Sequence, residues 1–182
     1  MKKRSKAEQN VLVFLLFPMF VVCMLFIDWG SKFWVLYSQQ QHKSLFGFFQ
    51  KPLYSSSLWN FTLEISPTFN EGAAFGLFSS YTYPLLLLRI AIVIGIGAFI
   101  VSRRHLVSNA NLFGLLLILS GAIGNIVDLI YYGKVIDFIS LSYAKAHYFP
   151  VFNFADMLIS AGTFILSVKL CFFPRKERKI NA

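Results

Sequence analysis

Four long apolar stretches constrain the fold of this chain more than any other feature of its sequence. They lie at residues 11–27, 84–102, 112–127 and 155–173, and each approaches the roughly 20 residues that a helix needs to cross a bilayer. Apolar residues make up 57% of the 182 residues and charged residues only 14%. A soluble domain of this size could not bury that much apolar surface. The sequence therefore predicts an all-α membrane protein, a single domain over residues 1–182 with four transmembrane helices.

The positive charges flank these stretches and predict the topology. Basic residues precede the first stretch and follow the second and the fourth: Lys2, Lys3, Arg4, Lys6, Arg103, Arg104, Arg175, Lys176, Arg178 and Lys179. Basic clusters at the ends of spans follow the positive-inside rule. The net charge of +9 is therefore explained without a nucleic-acid partner. Both termini are predicted to be cytoplasmic, with residues 29–83 and 128–154 facing outward together.

A cleaved secretory signal peptide is the alternative interpretation of residues 1–30, because a basic start precedes an apolar run. The residues that follow, Asp28-Trp29-Gly30-Ser31-Lys32, contain no small-x-small cleavage site. We therefore favour an uncleaved first span.

The first outer segment is rich in aromatic residues. Between residues 33 and 65 they are Phe33, Trp34, Tyr37, Phe46, Phe48, Phe49, Tyr54, Trp59 and Phe61. Aromatic side chains at this density are typical of the membrane–water boundary. Residues 59–65 and 135–141 alternate in character as strands do. These patterns predict a small strand-containing platform on the outer leaflet.

Six of the eight acidic residues map to the outer side of the predicted membrane, at span ends or in the outer segments. Carboxylates near the hydrocarbon are costly and usually functional. Asp137 lies between apolar residues in a predicted strand, and it is either a water-facing strand residue or part of a site. Asp156 begins the fourth span three residues after Asn153, so a helix-capping pair is the favoured local interpretation. The sequence alone leaves both questions open.

Three further polar positions need a partner or a role. Asp28 and Lys32 are spaced as an i,i+4 ion pair, of small value if exposed. Asn125 and Asp128 share a helix face, and Asp128 needs a partner because it lies at the helix end that disfavours an anion. Arg89, near the outer end of the second span, either extends outward or pairs with one of these aspartates.

Several chemistries are excluded by their missing motifs. The chain has no H-E-x-x-H for a metalloprotease, and its three histidines are widely separated. It also has no G-x-S-x-G for a serine hydrolase. Two non-enzyme interpretations remain: a small ion or proton transporter with intramembrane acids, and a structural protein whose acids only fix helix ends. The transporter is disfavoured because the acids lie at the outer rim and no internal repeat is evident.

Four sequence blocks, in order, resemble the lipoprotein signal peptidase (signal peptidase II) family. Residues 28–32 resemble its D-x-x-[TS]-K block, and residues 70–76 (NEGAAFG) its N-x-G-A-A-F block. Residues 124–128 (GNIVD) followed by 135–138 (VIDF) resemble G-N-x-x-D-R and V-V-D-F, and residues 152–156 (FNFAD) resemble F-N-x-A-D. The chain departs from the pattern at Leu129, where the family usually has Arg, and we expect Arg89 to supply the missing charge.

The resemblance implies an aspartic endopeptidase that cleaves a prolipoprotein before its diacylglyceryl-modified cysteine. It implies a catalytic pair, Asp137 and Asp156, and no metal or organic cofactor. The residues implied to support the site or bind substrate are Asp28, Lys32, Asn70, Gly72, Asn125, Asp128, Asn153 and Ala155, to which we add Arg89. It also implies a multi-pass protein of the bacterial inner membrane, in contact with membrane lipids, with its active site toward the outer face. We expect a monomer.

Overall fold

The computed structural model describes residues 6–46, 52–70, 82–103, 107–144 and 149–172. Its elements, in chain order, are α1 (Lys6–Phe46), β1 (Tyr54–Leu58), β2 (Phe61–Asn70), α2 (Thr82–Arg103), α3 (Asn109–Tyr132), β3 (Val135–Tyr143) and α4 (Phe154–Phe172). Within these described ranges, four helices are long and apolar enough to cross a membrane, and the three strands form one small antiparallel sheet. This confirms the predicted fold class of four membrane helices with a strand-containing unit.

Helix α3 lies at the centre of the helix bundle. More than half of its span is buried, whereas less than a fifth is buried in each of the other three spans. It packs against α4, α1 and α2, and Leu112 and Leu116 on α3 form a core cluster with Ile100 on α2. The outer helices leave large apolar side chains exposed, as expected for surfaces that face lipid rather than water.

Glycines allow α3 and α4 to approach closely, as small residues do between membrane helices. A Cβ atom at Gly121 would overlap the carbonyl oxygen of Ala155 and lie 2.9 Å from Cγ1 of Ile159. A Cβ atom at Gly162 would lie 2.5 Å from the carbonyl oxygen of Gly114. The approach at Gly121 fixes the first turn of α4 against α3.

The variant Gly121→Val is therefore expected to lower the thermal midpoint of the purified protein in detergent. Overpacking at a tight contact costs about 1–3 kcal/mol or more, and here the obstacle includes backbone that cannot rotate away. Gly97→Val is the matched control, because a Cβ atom at Gly97 on α2 meets nothing within 4 Å. Equal midpoints for the two variants would contradict the close packing of α3 on α4.

The sheet has the order β1-β2-β3. Strands β1 and β2 form a hairpin in which Leu58 pairs with Phe61. The register between β2 and β3 shifts between Ile65 and Thr68, so that Thr68 pairs with Asp137 and Asn70 with Val135. This irregularity contains Pro67, which has no N–H to donate to the ladder. The pairing carries the end of β2 alongside Asp137.

The predicted end of the first helix at Asp28 is wrong. Helix α1 has 41 residues and continues to Phe46, which gives a length of about 60 Å at 1.5 Å per residue. Between Asp28 and Phe46 the sequence has no proline and one glycine, Gly30, so no strong helix breaker ends the helix there. Four aromatic residues predicted in the outer segment therefore lie on α1, namely Phe33, Trp34, Tyr37 and Phe46. Phe33 stacks between Trp29 and Tyr37.

Two other predicted boundaries also move. The strand predicted from residue 59 begins at Phe61, because Trp59 and Asn60 form the hairpin turn. Trp59 has φ 56° and is 93% exposed, as a turn position allows and a paired strand position does not. The third helix, predicted to end at residue 127, continues to Tyr132. It is closed by left-handed Gly133, whose N–H donates to the carbonyl of Leu129, a common C-terminal cap.

Candidate active site

A pocket of about 300 Å³ opens where the sheet meets the ends of the helices. Its polar lining comes from five elements and comprises Asn70 of β2, Arg89 of α2, Asn125 of α3, Asp137 of β3, and Asp156 and Ser160 of α4. Five of these six residues were predicted from the sequence as candidates. The fold therefore brings residues from distant parts of the chain to one cavity.

Asp137 lies on β3 and is 2% exposed. Its Oδ1 accepts a hydrogen bond from Asn153 Nδ2 at 2.8 Å, and its Oδ2 accepts one from Asn70 Nδ2 at 3.0 Å. Burial raises the pKa of Asp137 to about 7, because a buried carboxyl group loses the hydration of its charged form. The nearby Asp156 charge also raises this pKa, and the two hydrogen bonds oppose the rise. The water-facing interpretation of Asp137 is therefore wrong.

Asp156 occupies the first turn of α4 and forms a reciprocal cap with Asn153. The backbone N–H of Asp156 donates to Asn153 Oδ1 at 2.9 Å, and the backbone N–H of Asn153 donates to Asp156 Oδ2 at 3.2 Å. This is the geometry of a capping box. The remaining oxygen, Oδ1, accepts from Asn125 Nδ2 at 2.8 Å. Capping thus leaves the Asp156 carboxylate in the pocket rather than removing it.

Asn153 links the two aspartates. It is fully buried, and its Nδ2 lies within hydrogen-bond distance of Asp137 Oδ1, of Asn125 Oδ1 at 3.0 Å and of the Ile136 carbonyl at 3.2 Å. Its backbone N–H meets Asp156. One residue therefore donates to both carboxylates, which holds the two groups in a fixed relation across the pocket.

A buried ion cluster lies behind this pocket. Lys32 Nζ is 2.7 Å from Asp28 Oδ2 and 2.7 Å from Asp128 Oδ2, and all three residues are at most 2% exposed. The i,i+4 ion pair predicted for Asp28 and Lys32 is confirmed. It is buried rather than exposed, and Lys32 shares it with Asp128 of α3. The cluster also supplies the partner that Asp128 was predicted to need.

The ion cluster joins the elements that carry the aspartates. Asp28 Oδ1 accepts from the backbone N–H of Ala155 at 2.9 Å, and Asp128 Oδ2 accepts from the backbone N–H of Ile136 at 3.2 Å. Ala155 precedes Asp156, and Ile136 precedes Asp137. Gly124 leaves room for this arrangement, since a Cβ atom there would lie 2.6 Å from Asp28 Oδ2.

Arg89 lines the pocket, and its charge interacts with those of Asp156 and Asp137. The position where the family pattern has Arg holds Leu129, which is 6% exposed. Gly72, the remaining predicted site residue, lies outside the described residues. Within the described part of the chain, no group of three or more His, Cys, Asp or Glu side chains is arranged to hold a metal ion.

Five other residues line the pocket and were not predicted from the sequence, namely Val135, Pro150, Val151, Ile159 and Ser160. Ile159 and Ser160 lie three and four positions after Asp156, so helical spacing could have identified them. Pro150 and Val151 carry no such signal, because they lie in an irregular segment before α4.

A family model described as signal peptidase (SPase) II matches residues 20–172 of the chain. The chain belongs to the signal peptidase II family. It is therefore a peptidase and a multi-pass protein of the bacterial inner membrane, and the transporter interpretation is not favoured.

Curated relatives in this family match most of the chain. The lipoprotein signal peptidase of Chlamydia caviae is 47% identical over 152 residues, which cover 84% of this chain and 88% of that protein. Those of Chlamydia pneumoniae and Chlamydia trachomatis serovar D are 43% and 42% identical over 157 and 167 residues. These matches cover 86% and 89% of this chain, and 90% and 95% of the two relatives.

Two solved structures of bacterial membrane enzymes share the fold. One, at 2.3 Å resolution, has a TM-score of 0.65 at 22% identity, covering 99% of both chains. The other, at 1.9 Å resolution, has a TM-score of 0.60 at 24% identity, covering 95% of this chain and 99% of that one. At this identity the likeness concerns the fold alone, and it agrees with the four-helix architecture.

Proposed function

We propose that this chain is an aspartic endopeptidase that removes signal peptides from diacylglyceryl-modified prolipoproteins, with Asp137 and Asp156 as its catalytic pair. The observation that carries this proposal is the bridge through Asn153, which donates to a carboxylate oxygen of each aspartate beside one pocket. Membership of the signal peptidase II family and the printed names of its curated relatives support the substrate class.

The two carboxyl groups line one pocket, and the charge of Asp156 acts on Asp137. Carboxyl groups that interact in this way cannot easily both ionise, so they share a proton. The ionised member accepts a proton from water as that water attacks the scissile carbonyl. The protonated member hydrogen-bonds to the developing oxyanion and then helps to protonate the leaving amine. Arg89 adds a positive charge at the pocket wall, which favours the single negative charge of the pair.

The surroundings of the pocket suit a lipid-anchored substrate. Val135, Val151 and Ile159 give the pocket an apolar wall beside its polar one. The spans below expose apolar surface to the membrane, where acyl chains and a signal helix would lie. The remaining roles implied by the family motifs follow: Asp28, Lys32 and Asp128 hold the scaffold, while Asn70, Asn125, Asn153 and Ala155 orient the pair.

The topology proposed with this function places both termini in the cytoplasm and the pocket toward the outer face. The protein is proposed to act as a monomer. The basic clusters at the chain ends and the even number of spans support it. Alkaline phosphatase fused to the C-terminus would be inactive in this topology, and an active fusion would contradict it.

The test of the proposed function uses the purified protein in detergent and a fluorescent precursor that carries a diacylglyceryl-modified cysteine. Cleavage immediately before that cysteine, undiminished by metal chelators, is the expected result. The control precursor differs only in lacking the lipid, and we expect it to remain intact. No cleavage of the lipidated precursor by folded protein, or cleavage that chelators block, would contradict the proposal.

The activity is expected to decline as the pH rises above about 7. The pKa of Asp137 is raised to about 7, so the pair retains its shared proton below this pH and loses it above. When a required proton is lost, kcat/KM falls about tenfold per pH unit. Initial rates measured across this range at constant ionic strength check the prediction, and an unchanged kcat/KM two units above neutrality would contradict it.

A further inference from the structure

We infer that Lys32, which contacts neither Asp137 nor Asp156, fixes the amide of Asn125. Asp156 is then the ionised member of the catalytic pair, and Asp137 carries the shared proton. Lys32 is then a positioning residue that acts through Asn125. This inference rests on the proposed function and assigns the two chemical roles that the proposed function leaves open.

The direction of the Asn125 amide is set by the groups at its oxygen end. Asn125 Oδ1 lies 3.4 Å from Lys32 Nζ and 3.0 Å from Asn153 Nδ2. An ammonium group has three donors and no acceptor, so the amide cannot turn its NH₂ group toward Lys32. Asn153 also presents an NH₂ group at this point, and it therefore requires the same orientation.

Once the oxygen faces Lys32, the Asn125 NH₂ group must face Asp156. It donates to Asp156 Oδ1 at 2.8 Å, while the backbone N–H of Asn153 donates to Asp156 Oδ2. Neither donor can become an acceptor, because one is locked and the other is a peptide group. Both oxygens of Asp156 are thus held as acceptors, and the N-terminal turn of α4 also favours an anion there.

Both oxygens of Asp137 also accept hydrogen bonds, from Asn153 and Asn70, but the rest of its environment favours the neutral acid. It is on a strand rather than at a helix N-terminus, and it is almost completely buried, whereas Asp156 is partly exposed. Burial disfavours its charged form, in agreement with its raised pKa. The positive charge of Arg89 also interacts more strongly with Asp156 than with Asp137. These differences all place the single negative charge on Asp156.

The charge of Lys32 alone would not produce this preference. The ion cluster carries one positive charge and two negative charges, from Lys32, Asp28 and Asp128, so its formal net charge is −1. A net negative cluster opposes an anion at Asp156. The influence of Lys32 on Asp156 therefore passes through the orientation of the Asn125 amide, and it should survive when the cluster charge is held constant.

The assignment of the proton can be tested by infrared titration of protein labelled with ¹³C at the aspartate carboxyl. The band of a protonated aspartate should remain in Asp156→Asn and disappear in Asp137→Asn. In Asp156→Asn it should titrate at a lower pH than in the wild type, because the Asp156 charge that raises the pKa of Asp137 is gone. The variant Asp137→Asn/Asp156→Asn supplies the background signal from Asp28 and Asp128. A band that persists in Asp137→Asn and disappears in Asp156→Asn would overturn the assignment. It would leave the proposed function intact, because the measurement does not depend on turnover.

The role of Lys32 can be tested with Lys32→Met/Asp128→Asn, which keeps the formal charge of the cluster at −1. Loss of a hydrogen bond to a charged group should lower kcat about tenfold or more, with KM little changed. On the acidic side of the pH profile, kcat should also begin to fall at a higher pH than in the wild type, because the Asp156 anion has lost a fixed hydrogen-bond donor. The control is Ser120→Ala on α3, the helix that carries Asp128. The Ser120 hydroxyl donates to the Leu116 carbonyl, and this variant should behave as wild type.

Unchanged kcat and an unchanged pH profile in the folded double variant would overturn the role of Lys32. Lys32→Arg, which keeps donors at this position, should retain more activity than the double variant, and equal losses would also count against the inference. If the double variant does not fold, the infrared titration still decides between the two assignments of the proton.

Discussion

Replacing Asp156 with Asn is expected to abolish cleavage of a lipidated precursor while the protein stays folded in the membrane. Asn is close to Asp in shape and can keep an oxygen toward the backbone N–H of Asn153, which Asp156 Oδ2 meets at 3.2 Å in the native chain. Its NH₂ group then faces the Asn125 NH₂ group, so one hydrogen bond is lost, at a cost of about 1–3 kcal/mol that the fold should tolerate. It cannot, however, accept a proton from water. Removing one member of a catalytic unit typically costs roughly 10⁴-fold or more in kcat. Asp137→Asn should give the same loss, because neither group works alone.

The measurement is the rate of precursor cleavage by equal amounts of folded, purified variants. Glu64→Gln is the matched control, since Glu64 lies on β2 of the same sheet, opposite Ser55 and Ser140, and does not line the pocket. We expect it to cleave at nearly the wild-type rate. The thermal midpoint of Asp137→Asn should change little. Asn removes a carboxyl group whose ionisation is disfavoured by burial, and this gain offsets the loss of one of the hydrogen bonds from Asn153 and Asn70. Cleavage at wild-type rates by either aspartate variant would refute the catalytic pair.

The variant Lys32→Met is expected to cause the largest loss of stability. Lys32 Nζ separates two carboxylate oxygens, one from Asp28 and one from Asp128, each 2.7 Å away. Without the ammonium group, two buried like charges remain unpaired, and breaking a buried ion pair in this way costs about 3–5 kcal/mol. The ends of both aspartate-bearing elements would loosen, because Asp28 and Asp128 hold the backbone N–H groups of Ala155 and Ile136.

The loss can be measured as the thermal or denaturant midpoint of the protein in detergent. Lys134→Met is the control: Lys134 lies 5.5 Å from the centre of the Phe69 ring, an interaction worth at most about 1 kcal/mol near a surface. Replacing Asp28 and Asp128 by Asn in the Lys32→Met background should restore part of the stability, because the unpaired charges are gone. A loss no larger than that of Lys134→Met would show that the cluster does not stabilise the fold.

Much of the candidate site could be predicted from residue pattern. The polar residues of the pocket lie in short blocks, and Asn153 and Asp156 have the spacing of a capping box, which the structure contains. The pattern could not show whether Asp137 faces water, since alternation in a strand identifies two faces and does not say which one is covered. The packing of β3 against α3 and the hydrogen bond from Asn153 decide this.

The sequence by itself determined the four membrane helices, because long apolar runs leave the backbone no other way to satisfy its hydrogen bonds in lipid. It also identified the polar residues near the membrane that needed a partner or a functional role. Only the tertiary structure decided that the Asp28–Lys32 pair is buried, since its other partners, Asn125, Asp128 and Ala155, lie some 90 to 130 positions away along the chain. Local patterns report spacing along one element, whereas the environment of a charge depends on every element packed around it.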